Sequence, residues 1–179
     1  MTLVHDILQQ MPGLGQPQRK FLATLFVTIL VLRGRVNFRN LSRYCDYSER
    51  TIARQFREPF DWPDCHQRVL RTALAPRSEL VSAHDASFLP KSGKQTCGLG
   101  HFFNGCASRA ERGLEISTLA VVDVTRRCAL TLAVSQTPPG EEAAQAELEE
   151  TRVDFYAQQL RAHRQRLPPS IPSHCVDGS

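Results

Sequence analysis

The hydrophobic pattern changes character near residue 79. Before it, apolar positions recur every three to four residues, as amphipathic helices require; after it, they gather in short β-branched runs. The first part predicts helices over 2–11 and 17–33, separated by Pro12, Gly13 and Gly15, with Pro17 in the first turn of the second. Arg33, Gly34 and Arg35 end that helix with cations and a glycine where the dipole favours them. Phe38, Leu41 and Cys45, spaced by three and four, predict a short third helix. Cys45-Asp46-Tyr47 reads as a tight turn, with Ser48 as N-cap and Glu49 in the first turn of a helix over about 49–58.

Pro59, Pro63 and Pro76 punctuate a connector, within which Val69 to Ala75 reads as one short helix. Phe60 and Trp62 either pin the connector to a core or stay exposed to stack on nucleic acid. Leu80 to Leu89, Gly113 to Val124 and Cys128 to Ser135 then read as strands, the last two joined by a Thr125-Arg126-Arg127 hairpin turn. Thr137-Pro138-Pro139-Gly140 stops the third. Glu141 to Arg166 reads as a long helix, acidic at its start and basic at its end. Ser173 to Asp177 is a final short strand. The expected order is therefore three strands, helix, strand, an α+β or α/β arrangement behind a helical region. The expected divisions are 1–62 helical, 63–79 connector and 80–179 sheet-containing.

Composition narrows the class. Hydrophobic residues at 41% and charged residues at 22% exclude collagen-like and disordered chains. The longest apolar run, Phe21 to Leu32, falls short of the roughly 20 residues that a bilayer span needs, so no membrane is expected. The N-terminus lacks the basic and apolar regions of a secretory signal. Six scattered Cys do not make a disulfide scaffold, and a reducing, cytoplasmic setting is expected. Charge is uneven: residues 1–78 hold 12 Lys+Arg against 6 Asp+Glu, whereas 79–179 hold 10 against 12. All but one of the first set are arginines, which suits bidentate phosphate contact.

Candidate chemistry follows from three groupings. Arg50, Arg54 and Arg57, at i, i+4 and i+7, form one stripe with Ile52 and Phe56 opposite, a helix-turn-helix pattern that equally fits a helical hairpin with solvated arginines. Val81, Ala83 and Asp85 alternate onto one strand face, which carries the carboxylate towards an interior; Cys175 and Asp177 repeat this on the last strand. Two such aspartates fit a shared Mg²⁺ or Mn²⁺, and they also fit strand caps accepting backbone bonds. His84 points away from Asp85, so the two make no dyad. Cys97, His101 and Cys106 lack zinc spacing and read as thiols with a loop histidine. Asp123 reads as a turn residue.

The segments HDASFLPKSGKQTCGLGHFFNG (84–105) and GLEISTLAVVDV (113–124) resemble the first catalytic-Asp region of DDE transposases of bacterial insertion sequences. VNFRNLSRYCDYSERTIARQFREPFDW (36–62) is similar to that family's N-terminal DNA-binding region, and HCVDGS (174–179) to the segment of its second Asp. The resemblance implies an RNase H-like catalytic domain with Asp85 and Asp177 as catalytic, metal-binding carboxylates. It implies two Mg²⁺ (or Mn²⁺) ions, one activating water or a DNA 3′-hydroxyl and one stabilising the leaving oxygen. The implied partner is double-stranded DNA, specifically terminal inverted repeats, with a homodimer as a candidate assembly and the nucleoid as the place of action. The stripe of Arg50, Arg54 and Arg57 offers it phosphate contacts, and Lys91 and Lys94, around Ser92 and Gly93, fit a DNA phosphate or a solvated hairpin tip. The family's third carboxylate, a Glu beyond the second Asp, has no counterpart before Ser179. The expectation is a partial RNase H-like domain, inactive as this chain, and the rival expectation is a non-catalytic DNA-binding remnant.

Overall fold

A computed structural model describes residues 2–75, 78–93, 96–139, 152–171 and 174–176. These residues fall into two compact units, Met1–Val69 and Leu70–Ser179. Among the described residues, no helix is long and apolar enough to cross a membrane.

The first unit is helical: α1 (Thr2–Gln10), α2 (Gln16–Val31), α3 (Phe38–Leu41), α4 (Glu49–Gln55) and the start of α5 (Trp62–Ala73). Its core is Ile7, Leu8 and Met11 against Phe21, Leu22 and Leu25, closed by Leu41, Ile52 and Cys65. Each short helix is fixed by a side-chain cap, since a helix this short cannot sustain its own nucleation. Asn37 Oδ1 accepts from the Asn40 amide at 2.8 Å, and Ser48 Oγ accepts from the Thr51 amide at 3.2 Å. Arg19 donates to the carbonyls of Leu8 and Met11, satisfying acceptors at the end of α1. Burial pushes the Cys65 thiol up to about 11, which leaves it protonated and inert.

Two helical expectations need correction. α4 stops at Gln55, with Phe56 as its C-cap, so Arg57 lies just past the helix that carries Arg50 and Arg54. The expected connector is instead a twelve-residue helix, α5. Asp61 Oδ1 caps it by accepting from the Asp64 amide at 2.9 Å. Pro63 occupies the first turn, where a missing N–H costs nothing, so the proline starts this helix and does not break it.

The second unit is a five-stranded sheet: β1 (Leu80–Pro90), β2 (Gly100–Asn104), β3 (Arg109–Asp123), β4 (Cys128–Gln136) and β5 (His174–Val176). β1 pairs antiparallel with β3, and β3 with both β2 and β4 along its other edge. β5 lies parallel to the opposite edge of β1. Four consecutive antiparallel strands, helix α6 (Arg152–His163) and a parallel fifth strand are consistent with a partial RNase H-like fold. β2 is an addition to the expected order: its five residues are too short and too rich in glycine and asparagine to read as a strand. It also places His101 on a strand, not in a loop. Of the predicted long helix, residues 141–151 lie outside the described residues, and a short 3-10 turn (Arg164–Arg166) ends the described part.

Alternation in β3 is clean. Glu115, Ser117, Leu119, Val121 and Asp123 are buried, and the residues between them are half-buried. A bulge interrupts β4, where Leu119 pairs with Ala133 but Ala120 with Thr131. The extra residue, Leu132, explains why it and Ala133 are both buried in succession. Gly113, opposite both Pro90 and Gly100, has no room for a side chain: a Cβ there would lie 2.4 Å from the Leu89 carbonyl oxygen. The predicted hairpin turn is present, with Arg127 at φ 53°. Asp123 serves that turn by accepting from the Arg126 amide at 2.9 Å. The Ser78 hydroxyl, together with the turn amides, holds its carboxyl below the ordinary value.

Two stability predictions follow from this core. Leu119 is fully buried, so Leu119→Ala should cost about 2–5 kcal/mol in denaturant unfolding. Asp123 has a lowered folded-state pKa, so its contribution is complete above the ordinary carboxylate range and disappears as pH falls through the lowered value. Asp123→Asn should therefore melt lower than the parent chain at neutral pH, and the two should converge in strong acid. A melting difference independent of pH would contradict this assignment.

Candidate functional site

β1 carries the central side chains, and alternation sends neighbours to opposite faces. Leu80, Ser82 and His84 are buried, whereas Asp85 is exposed. The expectation that Val81, Ala83 and Asp85 face the interior is thus reversed. The covered face takes the polar residues because helix α6 brings partners for them. Gln159 Oε1 accepts from His84 Nε2 at 2.7 Å and from the Ser117 hydroxyl. Gln159 Nε2 donates to Ser135 Oγ at 2.8 Å. An amide oxygen only accepts, so Nε2 of His84 carries its proton. The Tyr156 hydroxyl donates to Glu115 at 2.7 Å, and its ring lies 5.0 Å from that of His84.

Sequence reasoning missed this polar layer. A signal for it exists: Ser82 and His84 on one strand, and Glu115 and Ser117 on another, repeat at period two inside otherwise apolar runs. Gln159 gives no such signal, since a glutamine in YAQQLRAH looks like any solvated helix position.

Asp85 stands on the other face, beside Thr118 of β3, and accepts from Ser87 Oγ at 3.3 Å. Alternation along β1 puts it on the face opposite buried His84. On its other side runs β5, with Ala83 opposite Cys175 and His84 opposite Val176. Asp177 is the next residue in sequence and lies outside the described residues, as does Lys94. Lys91 is exposed just past the end of β1. Among the described residues, no three His, Cys, Asp or Glu side chains gather as a metal site. Asp85 nevertheless fits a hard divalent cation as a single donor: it is a carboxylate, accessible, and held by one weak hydroxyl bond.

Gly98 shapes the loop after β1. Its φ of +70° is in the left-handed region, and its backbone lies against the Gln136 side chain, which donates to the Cys97 carbonyl at 2.9 Å. Cys97 and Cys106 are free, exposed thiols.

In the first unit, Arg50, Arg54 and Arg57 are all exposed. Ile52 is buried as expected, whereas Phe56 is half exposed. Seven arginines lie between residues 33 and 57 against two acidic residues, Asp46 and Glu49. None of the seven forms an ion pair with a described residue.

No curated protein matches the chain significantly. A family-wide sequence profile described as DDE superfamily endonuclease matches residues 10–172, a span that includes Asp85 and both units and stops short of Asp177. With this coverage, and with a sheet whose topology agrees, the chain belongs to the DDE superfamily endonucleases.

Proposed function

We propose that this chain is a transposase component that binds the terminal inverted repeats of a bacterial mobile element through residues 1–62. Residues 80–179 then supply two carboxylates, Asp85 and Asp177, of a metal-dependent phosphodiester-cleaving and strand-transferring site. The observation that carries this reading is the parallel register of β1 and β5. It pairs Val176 with His84, and Asp177 and Asp85 are the residues that follow these two in sequence. Asp85 itself is exposed on the face opposite buried His84, where a metal ion and DNA can reach it.

Asp85 and Asp177 would hold Mg²⁺ or Mn²⁺ through carboxylate oxygens. When bound, such an ion polarises the phosphoryl oxygen and makes water or a 3′-hydroxyl a better nucleophile. The protein's own part is positional. The sheet holds Asp85 on a stiff strand, its open face admits a DNA backbone, and Lys91, exposed past the end of the same strand, would neutralise a phosphate further along the DNA, as would Lys94. No covalent protein–DNA intermediate is required. In the first unit, α3 and α4 act as a helix-turn-helix-like pair that presents Arg50 and Arg54, with Arg57 just beyond, to duplex phosphates.

Among the described residues no set of three metal-ligating side chains surrounds Asp85, so these 179 residues on their own are proposed to be inactive in cleavage. Incubated with Mg²⁺ or Mn²⁺ and DNA carrying the element's ends, they should leave the strands intact. Metal-dependent nicking that is lost on Asp85→Ala would mean that another residue of this chain completes the ligand set. Metal binding itself should survive: Mn²⁺ should broaden the amide resonances around Asp85, and Asp85→Asn should abolish that broadening. Broadening that leaves Asp85 untouched, or persists in the variant, would favour a non-catalytic DNA-binding protein.

The arginines make a separate prediction. Every phosphate that is no longer neutralised should reduce the slope of log K against log salt by about 0.9 for duplex DNA. The triple variant Arg50→Ala, Arg54→Ala, Arg57→Ala should bind duplex more weakly and with a flatter salt dependence. An unchanged slope would remove these residues from the interface.

A further inference from the structure

The arginine-rich part of the first unit also displays aromatic rings. Phe38 is 37% exposed and Phe56 is 49% exposed, and their ring centroids lie 5.1 Å apart at 52°. Phe56 is not a loose side chain. Its amide donates to the Ile52 carbonyl at 3.0 Å, and Ile52 is buried in the core. Behind it stands Phe21, buried, whose ring meets Phe56 edge-on at 6.4 Å and Tyr47 at 5.4 Å. The ring is therefore held at a set angle from behind while half of it faces water.

Exposed aromatic surface costs hydrophobic free energy unless something covers it. The surroundings identify what that is. Arg39 follows Phe38, and Arg54 and Arg57 flank Phe56, all among the seven arginines without an ion pair to a described residue. A partner protein with an apolar face would bury those charges unpaired, at high cost. A blunt duplex supplies phosphates but hides its base faces inside the stack. An unpaired nucleotide presents a flat π-face and a phosphate together, and both features here have a counterpart on it.

We propose that Phe38 and Phe56 form a stacking platform for an unpaired nucleobase, with the adjoining arginines taking the phosphates on either side. The inference rests on the DNA-binding reading above and adds to it a preference for DNA with single-stranded bases next to a duplex. Stacking on an aromatic side chain contributes enough per base to give a preference of roughly tenfold.

The test compares two labelled probes in anisotropy titrations of the full chain: a blunt duplex, and the same duplex with a short single-stranded extension. The extended probe should bind about tenfold more tightly. Phe56→Leu keeps an apolar side chain on the core and should erase that preference while leaving blunt-duplex affinity unchanged. Phe56→Trp should retain it, and its added indole emission should be quenched by the extended probe alone. Blunt-duplex binding with no preference in the parent chain, or a preference that survives Phe56→Leu, would overturn the platform and leave the duplex-binding reading standing. Binding of the extended probe alone would keep the platform and overturn the duplex reading. Failure to bind either probe would overturn both.

Discussion

The side-chain amide of Gln159 organises the sheet unit. It sits between helix and sheet with 6% of its surface exposed, and its hydrogen bonds reach β1 through His84, β3 through Ser117 and β4 through Ser135. A buried amide is costly unless each of its donors and acceptors finds a partner, and only one placement of the helix on these strands meets that condition. Apolar packing of Leu119, Val121 and Leu132 supplies most of the attraction; it tolerates sliding, because hydrophobic contact has no direction. The amide removes that freedom. Once the helix is set on one face, every odd residue of β3 from Glu115 to Asp123 is committed inward.

That commitment decides where Asp85 stands. Side chains alternate along a strand, so a buried His84 compels an exposed Asp85 without any direct contact between the two. The open face around it is built from small side chains, Ala83 beside it on β1 and Thr118 and Ala120 on β3. A carboxylate there keeps its hydration and its charge. The same residue on the covered face would have needed a buried counter-charge, and the described residues provide none near it.

Much of this organisation is legible in the sequence, for reasons that differ element by element. The long β-branched runs of β3 and β4 and the Asp123 turn between them are plain because period, propensity and turn chemistry agree. Ser48 is recognisable as a cap because its oxygen has an obvious amide to accept. Hydrophobicity as a guide to burial misreads the face of β1, where Ser82 and His84 are buried, His84 on a hydrogen-bond partner 75 residues away. α5 escapes notice because Pro63 reads as a breaker unless Asp61 is recognised as the cap just before it. β2 is five residues long and exists through its pairing with β3, a long-range effect that no local pattern carries. Asp85 enters as a proposed site residue through family resemblance alone, and the register of β5 on β1 is visible only in three dimensions.

The parallel pairing of β5 with β1 also bears on how the chain folds. β1, β2, β3 and β4 follow one another in sequence, so their ladders close much shorter loops. β5 joins residues 82–84 to residues 174–176, the longest sequence separation in the sheet. Closing so long a loop costs more chain entropy, and three residues of ladder return little for it. The strand that leads to Asp177 therefore docks after the antiparallel strands have formed, onto an edge of β1 that is already ordered. Assembly of the proposed carboxylate pair becomes a late folding event, and an intermediate that has every hydrophobic layer in place still presents that β1 edge unpaired.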